Sequence, residues 1–275
     1  MAEQLPEAMA AIRLELRALR TMTFKVEPTR SLHAVLHRVL ETSSPALSHR
    51  VHEESVKSFS ISHVLRVNEP NRPVRQIEQG ERIWVRLSML QREVLAGFIT
   101  ALVKHWREAT VLTFGSDPVQ ISSVAPELPL ARVGSPLISY SDLYASALPA
   151  DEIRLRFVSP VVFRNEGQDL PPDDSWRVFG SYLRRWRSYS DVALAGIDES
   201  TVRLHVHAED SAHLTFHRLN LGMTEQSGFL GTIRFQVSGD HAFQRGVAAL
   251  ADYSAYCGTG ARTAFGMGQT ERLSR

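Results

Sequence analysis

An α+β chain made of one strand–helix–strand, strand–helix–strand unit used twice is what this sequence predicts, and three observations predict it. Hydrophobic residues alternate with polar ones in short stretches, as at Ile12, Leu14 and Leu16, the period of half-buried strands. Between those stretches lie helical patterns such as Gln91–Trp106, with Leu95, Phe98 and Leu102 on one stripe. The same element order then recurs after residue 150. Such an order is that of a ferredoxin-like, RRM-like βαββαβ domain. The 275 residues suit two domains of ordinary size, divided as 1–135 and 136–275.

In the first half, the strand of residues 10–26 precedes a helical run from Leu32 to Leu40, which stops near Ser43-Ser44-Pro45. Ser44 is a good N-cap and Pro45 a good first helical residue, so a second short helix is expected to reach about Glu54. Lys57–Leu65 alternates as a strand, a loop carries Pro70 and Pro73, and Arg82–Met89 is a strand. The Gln91–Trp106 helix and a short strand at Val119–Val124 close the unit, and 126–150, with four prolines, is a connection. In the second half the expected order is strand Glu152–Val162, helix Trp176–Ser188, strands Val202–His207, Leu214–Leu219 and Gly228–Val237, helix His241–Tyr256, and strand Thr270–Leu273. The two halves share no sequence repeat, so the duplication rests on element order alone.

Composition excludes several classes. Hydrophobic residues make up 43% and charged residues 22%, as in a globular chain. No run approaches the roughly 18 apolar residues of a membrane-spanning helix. The N-terminus lacks a basic-then-apolar secretory pattern, and the cytoplasm is the expected compartment. The single Cys257 forms no internal disulfide and supports no cysteine-based zinc site. Net charge is only +1, yet 28 of the 31 cationic side chains are arginine; the lysines are Lys25, Lys57 and Lys104. Guanidinium groups hold phosphates bidentately and stack on bases, which suits RNA, although a GC-rich genome produces the same bias.

The last helix runs into a glycine-rich loop, Cys257 to Gly268, before the closing strand. Glycines at 258, 260, 266 and 268 permit positive φ and a close approach of backbone to ligand, and their N–H groups suit phosphates. Gly258 equally suits a helix C-cap, and paired glycines suit a bulged hairpin. A dinucleotide fingerprint is excluded by context, because that motif needs a strand before the loop and a helix after it.

This arrangement, a helix, then G-x-G-x-x-x-x-x-G-x-G, then a short C-terminal strand, resembles the signature of the repeat-associated RNA-binding (RAMP) superfamily of CRISPR proteins. Within it, three stretches resemble the Cas-six endoribonucleases that process precursor CRISPR RNA. They are the loop itself, preceded by Leu250-Ala251-Asp252-Tyr253; the run from Ser159-Pro160-Val161-Val162-Phe163-Arg164 through Pro171-Pro172 to Arg184-Arg185-Trp186; and Ser44-Pro45 through His52-Glu53 to Lys57-Ser58-Phe59. The resemblance implies metal-independent cleavage of CRISPR repeat RNA with no cofactor, giving a 2′,3′-cyclic phosphate and a 5′-hydroxyl. Other subunits of a CRISPR effector complex are possible further partners, and a non-catalytic RNA-binding subunit of such a complex is the alternative.

Metal-free RNA cleavage needs a base for the 2′-OH proton, an acid for the departing 5′-oxygen, and a cation for the phosphate. By position His52 matches the family's catalytic histidine, His37 a second group facing the same phosphate, and Lys57 a lysine found in some members, with His33 the competitor to His37. Ser58 and His63 depart from the family pattern. His33/His37 and His49/His52 also have zinc-chelating spacings, but no H-E-x-x-H or cysteine pair accompanies them. Asp173-Asp174, the only adjacent aspartates, sit in a proline-rich loop and make a poor metal site. For RNA binding the expected residues are Gly258, Gly260, Arg262, Gly266 and Gly268 in the loop, and Arg184, Arg185 and Arg187 beside Arg177, Trp176 and Trp186. Arg184 and Arg187 share a helix face. His205 and His207, expected on one strand face, and His213, His217 and Arg218, on or beside a hairpin, are further candidates for an RNA-facing surface.

Overall fold

The computed structural model describes residues 7–67, 74–127, 137–166, 168–209, 213–220 and 225–273. In the first half, strand Ala8–Ala18 buries Ile12, Leu14 and Leu16 on one face and turns Arg13, Glu15 and Arg17 to the other. It pairs antiparallel with Arg82–Met89, Leu14 opposite Val85, and with Asp117–Pro126, Leu14 opposite Val124. Phe59–Ile61 extends the sheet beyond Arg82–Met89, and Val111–Phe114 closes the other edge. Taking the four strands of the βαββαβ unit in chain order, the spatial order is 2-3-1-4.

Three helices cover this sheet. Helix α1 (Thr29–Ser43) buries Leu32, Val35, Leu36, Val39 and Leu40, a stripe at the 3.6-residue period. Full burial of each such side chain is worth about 1.5–3 kcal/mol. Helix α2 (Pro45–Glu53) begins as its sequence requires, with the Ser44 hydroxyl accepting from the Leu47 N–H at 3.3 Å and Pro45 in the first turn. Helix α3 (Arg92–Arg107) packs Val94, Phe98, Ala101 and Leu102 into the same core.

The second half repeats the plan. Helix α4 (Tyr140–Ser146) leads into strand Glu152–Val161 and helix α5 (Ser175–Tyr189). Helix α6 (Glu199–His205) then precedes strands Val206–Glu209 and Glu225–Val237, helix α7 (His241–Cys257) and strand Thr270–Leu273. The sheet order is Val206–Glu209, Glu225–Val237, Glu152–Val161, Thr270–Leu273, again 2-3-1-4. The α+β class with tandem ferredoxin-like domains is therefore the observed one.

Three local expectations are corrected. Val202–His207 is not a strand: residues up to His205 are helical, because Asp198 and Thr201 form a reciprocal capping box. His205 consequently ends a helix while His207 lies on a strand, and the two do not share a strand face. The strand expected over Lys57–Leu65 is limited to Phe59–Ile61 and Leu65–Arg66. The connection 126–150 is partly regular, since Leu137–Ser139 pairs with Ala8–Ala10 and Ser139 caps α4 by accepting from Asp142 N–H at 3.0 Å. Pro70, Pro73, Pro129 and Pro136 lie outside the described residues.

The halves interlock along one seam. Met9, Ala11 and Leu90 belong to the core of the second half, and Ala264 to that of the first. The Ser60 hydroxyl donates to the Tyr256 carbonyl at 2.7 Å, and Gln269 Nε2 to the Ile61 carbonyl at 3.1 Å. Such bonds across a packed seam hold the glycine-rich loop against α1 and Phe59–Ile61.

Candidate active site

The loop after α7 shows why glycine is needed there. Gly268 has φ +73°, and a Cβ on it would lie 2.1 Å from the Thr259 carbonyl oxygen; on Gly260, φ +75°, it would lie 2.4 Å from that of Val162. The loop thus folds flat on itself and on the end of strand Glu152–Val161. Its N–H groups hold that fold: Thr259 donates to Gly268 at 2.7 Å, Ala261 to Val162 at 2.8 Å and Gly268 to Pro160 at 2.9 Å.

Arg185, expected to contact RNA, is 7% exposed and faces inward. Its guanidinium donates to the Gly258 and Gly260 carbonyls at 3.2 and 2.7 Å, so it anchors the loop from beneath. Arg187 donates to the Ile197 carbonyl at 2.9 Å, and Arg177 pairs with Asp173 at 2.7 Å. Arg184 is exposed, and among the described residues no carboxylate pairs with it. It lines a cavity of about 670 Å³ with Trp176, Arg164, Arg203, Gly260 and Ala261. Arg262 sits half-buried in the left-handed conformation at φ +60°, at the start of a short turn, Thr263–Phe265. His217 and Arg218 are exposed on strand Thr215–Asn220, with His213 just before it and Phe216 54% exposed between them.

That turn carries the second half into the first. Gly266 (φ +87°) passes Thr29, and Phe265 stacks on His33 with ring centroids 4.2 Å apart. His33 Nδ1 lies 3.0 Å from the Ala264 carbonyl oxygen. One turn along α1, His37 approaches His33 to 4.6 Å between centroids, and His52 at the end of α2 meets His37 edge-on at 5.2 Å. Helices α1 and α2 are held together here by the Ser48 hydroxyl, which donates to the His37 carbonyl at 3.2 Å. The structure thus gathers three imidazoles from two helices, with His33 and His37 packed on Phe59; His49 is exposed on α2.

Their environments differ. Burial, then the neighbouring His37, holds His33 down to about 4, opposed by its bond to Ala264. Burial, then His52 and Lys57, holds His37 down to about 4. His52 is exposed. The His37 Nε2 atom is buried and finds no hydrogen-bond partner among the described residues. Lys57 Nζ donates to the Val51 carbonyl at 3.2 Å and also to that of His52, so it caps the last turn of α2. Burial lowers its pKa, with Glu54 and Glu53 opposing.

A cavity of about 420 Å³ opens here, lined by Arg30, His33, Arg38, His52 and Phe265 among others. Arg38 also donates to the Thr113 carbonyl. Sequence reasoning overlooked Arg30, Arg38 and Phe265. A signal was present: Arg30, His33 and Arg38 fall at i, i+3 and i+8, the polar face opposite Leu32, Val35 and Leu36. Among the described residues no group of three or more His, Cys, Asp or Glu is disposed to hold a metal ion.

Residues 155–270 match the family of CRISPR-associated endoribonuclease Cas6. No curated protein matches the chain. A Cas6 (TTHB231) product complex is 23% identical, with TM-score 0.78, covering 98% of this chain and 100% of that one. The Thermus thermophilus Cas6 of the same designation gives 22% identity and TM-score 0.71 over 98% and 100%. A Cas6-related protein from Pyrococcus furiosus gives 15% and 0.64 over 97% and 99%. The resemblance read in the sequence is thereby borne out: the chain carries the Cas6 family's sequence pattern over residues 155–270 and the Cas6 fold over nearly its whole length.

Proposed function

We propose that this chain is an endoribonuclease that cuts CRISPR repeat RNA without a metal ion, by attack of a 2′-hydroxyl on the adjacent phosphate. The products are a 2′,3′-cyclic phosphate and a 5′-hydroxyl. The observation that carries this reading is the cluster of His33, His37 and His52 at the seam, beside a cavity edged by Arg30 and Arg38. Imidazoles move protons near neutral pH, and cations oppose the charge that builds on the pentacoordinate phosphate. His52, exposed at the mouth, is one proton carrier, and an imidazole of the His33–His37 pair is the other. Lys57 contributes positive charge and fixes the turn of α2 that carries His52. The family match, and solved Cas6 structures described as product and substrate mimic complexes, support the reading.

RNA then crosses the second half. Arg184 on α5 and Arg262 within the glycine-rich loop offer cations, and phosphate contacts of this kind give salt-dependent affinity. The test is incubation with repeat RNA in EDTA, followed by end-group analysis. Cleavage leaving a cyclic phosphate is the expected result, and binding without cleavage would favour the non-catalytic reading.

A further inference from the structure

The three imidazoles are not equivalent. A backbone carbonyl only accepts, so at 3.0 Å from the Ala264 oxygen the Nδ1 of His33 carries the hydrogen. A neutral imidazole has one N–H, and Nε2 of His33 is left with its lone pair. Burial and the neighbouring His37 keep the ring neutral. His33 and His52 line the cavity, whereas His37 does not, and its Nε2 is enclosed.

We infer that His33, locked in one tautomer by the Ala264 carbonyl of the glycine-rich loop, is the general base that takes the 2′-hydroxyl proton, with His37 a positioning residue between it and His52. This inference rests on the endoribonuclease reading. The 2′-oxygen forms a bond to phosphorus as its proton passes to His33 Nε2. The bond from phosphorus to the 5′-oxygen breaks, and protonated His52 gives that oxygen a proton. The Ala264 carbonyl then faces a cationic ring, which it stabilises, and the anionic phosphate alongside raises the basicity of His33 during the reaction. His37 holds the two rings apart through its contacts at 4.6 and 5.2 Å. One consequence is that the second half of the protein sets the protonation pattern of a catalytic group in the first.

The experiment compares His33→Asn, His37→Asn and His52→Ala in single-turnover cleavage of repeat RNA. Two substrates are used, one normal and one with sulfur in place of the bridging 5′-oxygen at the cut. The side-chain amide of asparagine reproduces the Nδ1 donor toward Ala264 but has no group at Nε2. His33→Asn is expected to lose roughly 10²–10⁴-fold in rate on both substrates, the worth of one general base. His52→Ala is expected to lose as much on the normal substrate and recover on the sulfur one, because a thiolate leaves without an acid. His37→Asn should fall less than either. Cleavage by His33→Asn at close to the wild-type rate, or its rescue by the sulfur leaving group, overturns the assignment of the base. Undiminished cleavage by His52→Ala on the normal substrate sinks the underlying reading instead, so the two failures are distinguishable. Circular dichroism melts of all three variants separate misfolding from lost chemistry, and a His33→Gln variant, which places an amide near Nε2, replaces His33→Asn if that protein fails to fold.

Discussion

His33 and Ala264, 231 positions apart in the chain, are joined by a 3.0 Å hydrogen bond across the seam between the two halves. The bond brings an imidazole of α1 under the control of a turn in the C-terminal loop. With His33 as the proposed base, the chemistry of the first half depends on loop geometry in the second.

His52→Ala should slow cleavage by roughly 10²–10⁴-fold, the usual worth of a general acid. RNA affinity should barely change, because one exposed imidazole adds little to phosphate attraction. Single-turnover rates and filter binding on the same preparation measure both quantities. A parallel loss of affinity would show that His52 holds RNA and does not move a proton.

Acid should destabilise the RNA-free protein through His33 and His37. Both are held at about 4 by burial and like charge, below their ordinary value of 6.5. The unfolded chain thus binds more protons between those limits. The stability that neutral histidines contribute is fully present above about 6.5 and is lost as pH falls through about 4. Melting temperatures of wild type should drop across this window, and a His33→Asn, His37→Asn double variant should drop less steeply. Equal slopes would mean that other groups dominate the acid limb.

The two neighbouring arginines of α5 should separate stability from binding. Arg185→Met leaves the Gly260 carbonyl without its buried side-chain donor and the Gly258 carbonyl with only the weak Cys257 thiol, a loss of about 1.5–3 kcal/mol for each hydrogen bond to a charged group. Its melting temperature should fall. Arg184→Ala should melt like wild type but bind RNA more weakly, lowering the slope of log affinity against log salt by about one. Thermal melts and a salt titration on both variants decide the matter.

How far the sequence could be read follows from where each signal resides. The caps and stripes of α1 and α2 are local, and Ser44, Pro45 and the Leu32–Leu40 pattern announce them plainly. The Val202–His207 segment misleads because its alternation competes with the Asp198–Thr201 capping box, which is worth more to seven residues than β propensity is. Arg185 misleads for another reason. Its chemistry, a cation next to glycine carbonyls, suits phosphate and loop anchoring equally, and only packing decides. That His33 and not His37 lines the cavity is a matter of about 40° around one helix, fixed by the Ala264 carbonyl and hidden from any reading of α1 alone.

The glycine-rich loop offers the sharpest test of coupling between the halves. At Gly266, φ is +87° and an added Cβ would stand 2.7 Å from Thr29 Cγ2 and 3.0 Å from its hydroxyl. Gly266→Ala therefore incurs a left-handed backbone cost of about 1–2 kcal/mol together with a steric clash against α1. Relief of the clash moves the turn that bears Ala264 and Phe265 away from His33. Cleavage should fall markedly while the affinity of Arg184 and Arg262 for RNA phosphates is retained. Removing the obstructing atoms with Thr29→Ala should restore part of the lost rate in the double variant, leaving the backbone cost as a residual loss in melting temperature. If Thr29→Ala gives no recovery, the clash is not what disturbs the site, and the loop acts on the histidines through its backbone conformation alone. If Gly266→Ala cleaves at the wild-type rate, the contact between the loop and His33 has no part in catalysis.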